Sequence, residues 1–216
     1  MEANLYGILR AGFIERLDEP CLCPPGQAAR SYREMDDLSA RYAGLLGALG
    51  LQAGDRAVAQ VEKSPEAIAL YLACLRTGVI YVPLNTAYTP NEMAHFLADA
   101  QPGLLVTTPA AAAMLEPTAK QADVTHLLSL DDQGGGSLAE RANAAPARET
   151  LEPRSTTDIA AIVYTSGTTG RSKGAMLSIE NLASNARTLY TLWGWQPNDV
   201  LLHALPVFHV HGLFVA

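Results

Sequence analysis

The chain has 216 residues, 49% hydrophobic and 17% charged, with a formal net charge of −7. That balance can bury the core of one large or two small domains. The acidic sign disfavours a general nucleic-acid binder, which needs a positive field against phosphate backbones, but leaves room for one nucleotide held by a few local donors.

The N-terminal stretch MEANLYGILRAGFIERL carries charges too early for a secretory signal. Cys21, Cys23 and the later Cys74 form no C-x-x-C pair. Neither a disulfide framework nor a zinc knuckle is expected, and reduced thiols in a cytoplasmic protein are. Ser31 and Glu34 fit a capping box ahead of a helix striped by Leu38, Tyr42, Leu45, Leu46 and Leu49. Asp55 to Val61 reads as a strand. Ser64-Pro65 opens a helix that Gly78 ends. Val79 to Leu84 is a strand whose Pro83 marks an edge or an exit point. Thr89-Pro90-Asn91-Glu92 is a second capping box, with Met93, Phe96, Leu97 and Ala100 on the apolar face behind it. A strand over 103–108, a helix over 110–122 and a strand over 125–130 follow. Strands separated by helices of 10–15 residues imply βαβ units in mainly parallel sheets flanked by helices, an α/β fold.

Residues 131–157, with DDQGGGS and at most a short helix near Leu138 to Asn143, read as an excursion before a second sheet. The division expected is 1–150 and 151–216. The second sheet would hold Ile159 to Tyr164 and Val200 to Leu205, with a helix capped by Ser178 between them. No run of about 18 apolar residues is present, so no membrane span is expected. The chain stops within the apolar run LLHALPVFHVHGLFVA, which is expected of a piece of something longer. Acidic pairs such as Asp36-Asp37 read as solvated surface.

Two segments carry chemistry. YTSGTTGRSKGAMLS, Tyr164 to Ser178, follows an apolar strand and so sits at the carboxyl edge of a sheet, where open α/β sheets bind ligands. Gly167, Gly170 and Gly174 allow tight turns. Ser166, Thr168, Thr169 and Ser172 add hydroxyls, and Lys173 and Arg171 add charge. The segment departs from the P-loop pattern, because Ser172 stands where the second glycine belongs. It lacks G-x-G-x-x-G, and Tyr164 occupies the first glycine position of the hydrolase elbow. An anion-binding loop and a solvated turn both remain open, and the density of donors favours the first. The second segment, HALPVFHVHG, holds His203, His209 and His211. On an extended chain His209 and His211 would face one side about 7 Å apart. No further His or Cys at ligand spacing accompanies them, so no metal site is expected. A pocket-lining histidine is expected from this pair, and for His203 an ordinary hydrogen-bonded imidazole.

YTSGTTGRSKGAMLS closely resembles the signature loop of the adenylate-forming enzymes, which comprise acyl-CoA synthetases, luciferases and peptide-synthetase adenylation domains. The likeness spans nearly the whole chain, from SYREMDDLSARYAG to LPVFHVHGLF. The combination of VPLNTAYTPNE, NLASNA and LLHALPVFHVHGLFVA is most similar to malonyl-CoA synthetases. The resemblance implies that a carboxylate attacks the α-phosphate of ATP, releasing pyrophosphate, and that coenzyme A then displaces AMP from the acyl-adenylate. Thr165, Ser166, Gly167, Thr168, Thr169, Gly170 and Lys173 would grip the β- and γ-phosphates. His209 would lie beside the acyl carboxylate, with His211 and Gly212 forming that wall. ATP, Mg²⁺ and coenzyme A are the implied cofactor and substrates, with a small carboxylate as the acyl donor. The alternatives keep the loop but change the outcome: loading of a carrier-protein thiol, or a non-catalytic nucleotide-binding module. The family's glutamate for Mg²⁺, its adenine and ribose contacts, the arginine for a second malonate carboxylate and the adenylation lysine match nothing here. The 216 residues alone are therefore expected not to complete the reaction.

Overall fold

The computed structural model describes residues 4–165 and 172–215. A short helix α1 (Leu5–Ala11) leads to a two-stranded antiparallel ribbon, β1 (Pro20–Leu22) and β2 (Arg30–Ser31). Four strands then alternate with helices: α2 (Tyr32–Ala48), β3 (Arg56–Gln60), α3 (Pro65–Thr77), β4 (Ile80–Pro83), α4 (Pro90–Ala100), β5 (Leu104–Thr107), α5 (Pro109–Gln121) and β6 (His126–Ser129). After α6 (Ser137–Ala144) come β7 (Ile159–Thr165), β8 (Lys173–Ser178) and α7 (Ile179–Trp193). Both expected capping boxes form, at Ser31 with Glu34 and at Thr89 with Glu92, and Ser178 makes a third with Asn181. Among the described residues no helix is long and apolar enough to cross a membrane.

Six strands form one sheet in the order β6-β5-β3-β4-β7-β8, parallel except for β8. Alternation of side chains across the sheet divides the core in two. Ala57, Ala59, Leu104 and Val106 face α2 and α3. Val58, Val82 and Leu105 face Met93, Phe96 and Leu97 of α4 and Leu115 of α5. Strands covered on both faces read as nearly continuous apolar runs, as they do here.

Among the described residues the expected second sheet does not form. β7 adds to the free edge of β4, with Tyr81 opposite Ala161, and so joins the first sheet. The reason lies in residues 145–158, which are pinned to the helices rather than swinging away. The Arg148 amide donates to Ala40 O at 2.9 Å and the Glu152 amide to Arg76 O at 2.8 Å, which delivers β7 to β4. Val200 to Leu205 is not a strand either. Val200 and Leu202 are each 91% exposed and no ladder partner holds them among the described residues. Pro83 is an exit point and not an edge, because β4 lies between β3 and β7.

Asp36 also departs from expectation. It is buried and bonded to Arg76, a guanidinium only 1% exposed that also donates to Ser39 Oγ at 2.9 Å and lies 4.1 Å over the Tyr6 ring. The Tyr6 hydroxyl donates to Asp36 Oδ1 at 2.5 Å, and Asn4 Nδ2 donates to Leu75 O and Glu152 O, so α1 is stitched to α2 and α3.

Candidate functional site

Because β3 to β7 run parallel, their carboxyl ends share one edge of the sheet. β7 ends at Thr165 and β8 starts at Lys173, and these two residues are partners in the antiparallel ladder. Tyr164 and Thr165 thus end one strand and Lys173 to Ser178 form its antiparallel partner, so Thr165 and Lys173 stand together at the carboxyl end of β7. Thr165 and Lys173 are exposed. Of the expected phosphate-gripping residues, Ser166, Gly167, Thr168, Thr169 and Gly170 lie outside the described residues. Among the described residues Lys173 has no ion-pair partner.

The base of this hairpin is built on α4. The Tyr164 ring packs on Phe96 with centroids 4.7 Å apart, and its hydroxyl donates to Asp99 Oδ2 at 2.5 Å. Burial first, and then the bond to Asp99, push the Tyr164 phenol above its ordinary range. His95 Nε2 lies 3.3 Å from Ser172 O and holds the far end of the connection. Gly174 has a role other than turning. A Cβ there would stand 2.8 Å from Ile162 Cγ2 and 3.4 Å from the Tyr164 ring, so the glycine lets the ring close over the strand.

The histidine segment folds as a turn and not as a strand. His209 follows the bend at Pro206, and His211 begins a short π-helical turn, His211–Val215. The extended H-x-H geometry is therefore absent: once the backbone coils, the period-two alternation that would aim both rings together is lost. His209 and His211 are both exposed and Gly212 is buried. The His209 amide donates to Pro206 O at 3.4 Å and the Leu213 amide to His209 O at 3.0 Å. His203 is hydrogen-bonded as expected, through Nε2 to Gly212 O at 2.7 Å. Among the described residues no group of three or more His, Cys, Asp or Glu is placed to hold a metal ion.

Sequence reasoning missed Lys63, which stands three residues past β3. Its Nζ donates to His203 O at 2.9 Å and to Leu205 O at 3.2 Å. This ties the start of the histidine segment, His203 to Leu205, to the chain just past the carboxyl end of β3. β4 alone separates β3 from β7, so these two strands lie two strand spacings apart, roughly 10 Å. A lone lysine between a strand and a helix cap carries no local signal of such a partner 140 residues away.

The AMP-binding enzyme profile matches residues 15–216. The chain is similar to apo MatB from Rhodopseudomonas palustris, at 45% identity and a TM-score of 0.89, over 100% of this chain and 42% of that one. ATP-bound MatB from the same organism is 46% identical with the same TM-score and coverage. The probable CoA ligase CCL9 of Humulus lupulus is 30% identical over 217 residues, 97% of this chain and 41% of that protein. The mitochondrial malonate–CoA ligase ACSF3 of Xenopus laevis is 35% identical over 139 residues, 63% of this chain and 23% of that protein. The chain thus spans about two fifths of the length of the first curated relatives it matches.

Proposed function

The chain belongs to the AMP-binding enzyme family, and from that premise we propose that it carries the phosphate grip and acyl-pocket wall of an ATP-dependent acyl-CoA ligase. The observation that supports this reading is that Thr165 and Lys173 pair at the carboxyl end of β7 while Lys63, just past the carboxyl end of the parallel strand β3, holds the start of the histidine segment. Thr165, Lys173 and the intervening 166–170 hold the β- and γ-phosphates. Hydroxyl and amide donors there offset the charge that grows on departing pyrophosphate. The exposed ring of His209 donates to the acyl carboxylate, with His211 and Gly212 beside it. Residues 1–150 form a first subdomain, and 151–216 complete its sheet and open a second. Malonate or a similar short carboxylate is the proposed acyl group, supported by the likeness to the malonate–CoA ligase of Xenopus laevis. Coenzyme A accepts the acyl group. Mg²⁺ would accompany the ATP phosphates.

The test uses the longest reading frame that encodes this chain. Malonate-dependent ATP–pyrophosphate exchange, and AMP release that requires coenzyme A, are expected. AMP release with a carrier protein in place of coenzyme A would move the acceptor. ATP binding without turnover on malonate, oxalate or a short fatty acid would leave a nucleotide-binding module and overturn the ligase reading. The 216 residues alone are expected to show no exchange, and a measurable rate from them would refute that.

A further inference from the structure

Lys63 is held on a rigid base. It directly precedes Ser64, whose buried hydroxyl accepts the Ala67 amide at 3.1 Å, and Pro65 occupies the first position of α3. From that base the ammonium reaches two carbonyls of the histidine segment, His203 O and Leu205 O, and stands 3.4 Å from His203 Nδ1. The other ring nitrogen, Nε2, meets Gly212 O, which only accepts. Nε2 therefore carries the proton and Nδ1 presents a lone pair to the lysine. All three ammonium donors are satisfied by one turn of chain, and one imidazole joins the start of that turn to its end.

We propose that Lys63 and His203 form a clasp that sets the position of the His209–Gly212 turn over the carboxyl end of β3, making Lys63 a positioning residue for the acyl-carboxylate wall; this rests on the ligase reading above. Other supports lie at the far ends of the segment. Asn185 Nδ2 donates to Phe214 O at 2.8 Å, and Arg16 donates to Pro197 O at 3.0 Å. Between Pro197 and the clasp, Val200 and Leu202 stand 91% exposed. Apolar packing holds the end of the turn, where Leu213 and Phe214 lie against the core and Phe214 meets Tyr71 edge-on at 5.9 Å. Among the described residues Lys63 is the hydrogen-bonding tether from the end of β3 to the start of the segment. Gly212 lies so close to Pro206 O that the turn moves as a unit: a Cβ there would stand 2.1 Å away. A shift at His203 therefore carries to His209.

The test has two arms. In the 216-residue chain, Lys63→Ala is compared with wild type by backbone amide NMR and hydrogen exchange. Lys63→Met, which keeps the stem, serves as a second variant should alanine perturb folding. The amides of His209, Gly212 and Leu213 are expected to shift, and Leu213 to exchange about tenfold faster, while Ala161 in β7 stays unchanged. Lys63→Arg, which keeps donors and charge, restores them. In the longest reading frame, Lys63→Ala is expected to raise KM for the carboxylate about tenfold, the scale of one to two ammonium hydrogen bonds, with KM for ATP within twofold. Unmoved turn amides in Lys63→Ala overturn the clasp, and so does an equal rise of both KM values. If the wild type shows no carboxylate-dependent AMP release, the ligase reading fails by itself and the amide comparison decides the clasp.

Discussion

Replacing Gly212 by alanine tests whether the histidine turn is built around a close backbone approach. The added Cβ would stand 2.1 Å from Pro206 O and 2.8 Å from Pro206 C, whereas real Cβ contacts essentially never fall below 3.0 Å. The turn must therefore open by about 1 Å. Opening weakens the His209 amide bond to Pro206 O and the 2.7 Å bond from His203 to Gly212 O. Two such bonds are together worth roughly 1–3 kcal/mol net. The segment lies at the surface, so it relieves the clash by local opening before the sheet unfolds. The expected result is a global unfolding free energy changed by less than about 1 kcal/mol. The Leu213 amide, donated to His209 O, should exchange roughly 5- to 100-fold faster. Urea denaturation and hydrogen exchange on one preparation measure both. Unchanged Leu213 exchange in Gly212→Ala would show that the turn has slack, and the close-approach reasoning would be refuted.

Two glycines of α2 should respond with opposite signs. Gly44→Ala sets a Cβ 1.8 Å from Pro146 O and is expected to destabilise by several kcal/mol, whereas Gly47→Ala meets nothing within 4 Å and should gain about 0.5–1 kcal/mol in urea midpoint analysis. Arg76→Met leaves Asp36 with Arg10 at 2.9 Å and the Tyr6 hydroxyl, and so should cost less than the roughly 3–5 kcal/mol of an uncompensated buried charge, with part recovered by adding Asp36→Asn; full additivity of the two losses would argue against a coupled pair. Burial and the bond to Asp36 push the Tyr6 phenol up to about 12 from its usual value near 10. The native state then keeps a proton that the unfolded chain has released. That contribution is complete below pH 10 and lost as pH rises toward 12, so the urea midpoint should fall over this window, less steeply in Tyr6→Phe. Burial likewise raises the Cys21 thiol to about 11, so at pH 8 iodoacetamide should label exposed Cys23 first, Cys21 slowly and buried Cys74 only on unfolding, as read by peptide mass spectrometry.

Local features of the sequence carried most of the βαβ region. The boxes at Ser31 and Thr89 and the Ser64-Pro65 start are satisfied within four residues of themselves, so their spacing is enough to read them. The choice of sheet for β7 is a different kind of fact. Its apolar run fits any parallel sheet, and what brings it to β4 is a pair of backbone bonds from Arg148 and Glu152 to helices over 70 residues back. Asp36 was misread for the same reason: next to Asp37 it looks like solvated surface, and its partner Arg76 comes 40 residues later. β8 was hidden inside a donor-rich segment. Its Gly174 serves the Tyr164 ring, and its Met176 is 67% exposed, so no alternation of apolar and polar residues marks it.

The candidate site divides along the same line. The residue types that hold an anion announce themselves by concentration, which is why Thr165 to Lys173 stands out from composition alone. The geometry that makes them a site does not, because it depends on contacts made across the fold. The Thr165–Lys173 pairing needs β8, and the hold on His203 at the end of β3 needs Lys63, which reaches 140 residues along the chain. The H-x-H spacing pointed instead to a strand face, and it failed because Pro206 and the buried Gly212 coil the backbone there. Of the two imidazoles first weighed as a pair, neither is the one that organises the segment. His203, read as the ordinary member of the three, joins Gly212 to Lys63 and thereby links the turn to the chain at the end of β3.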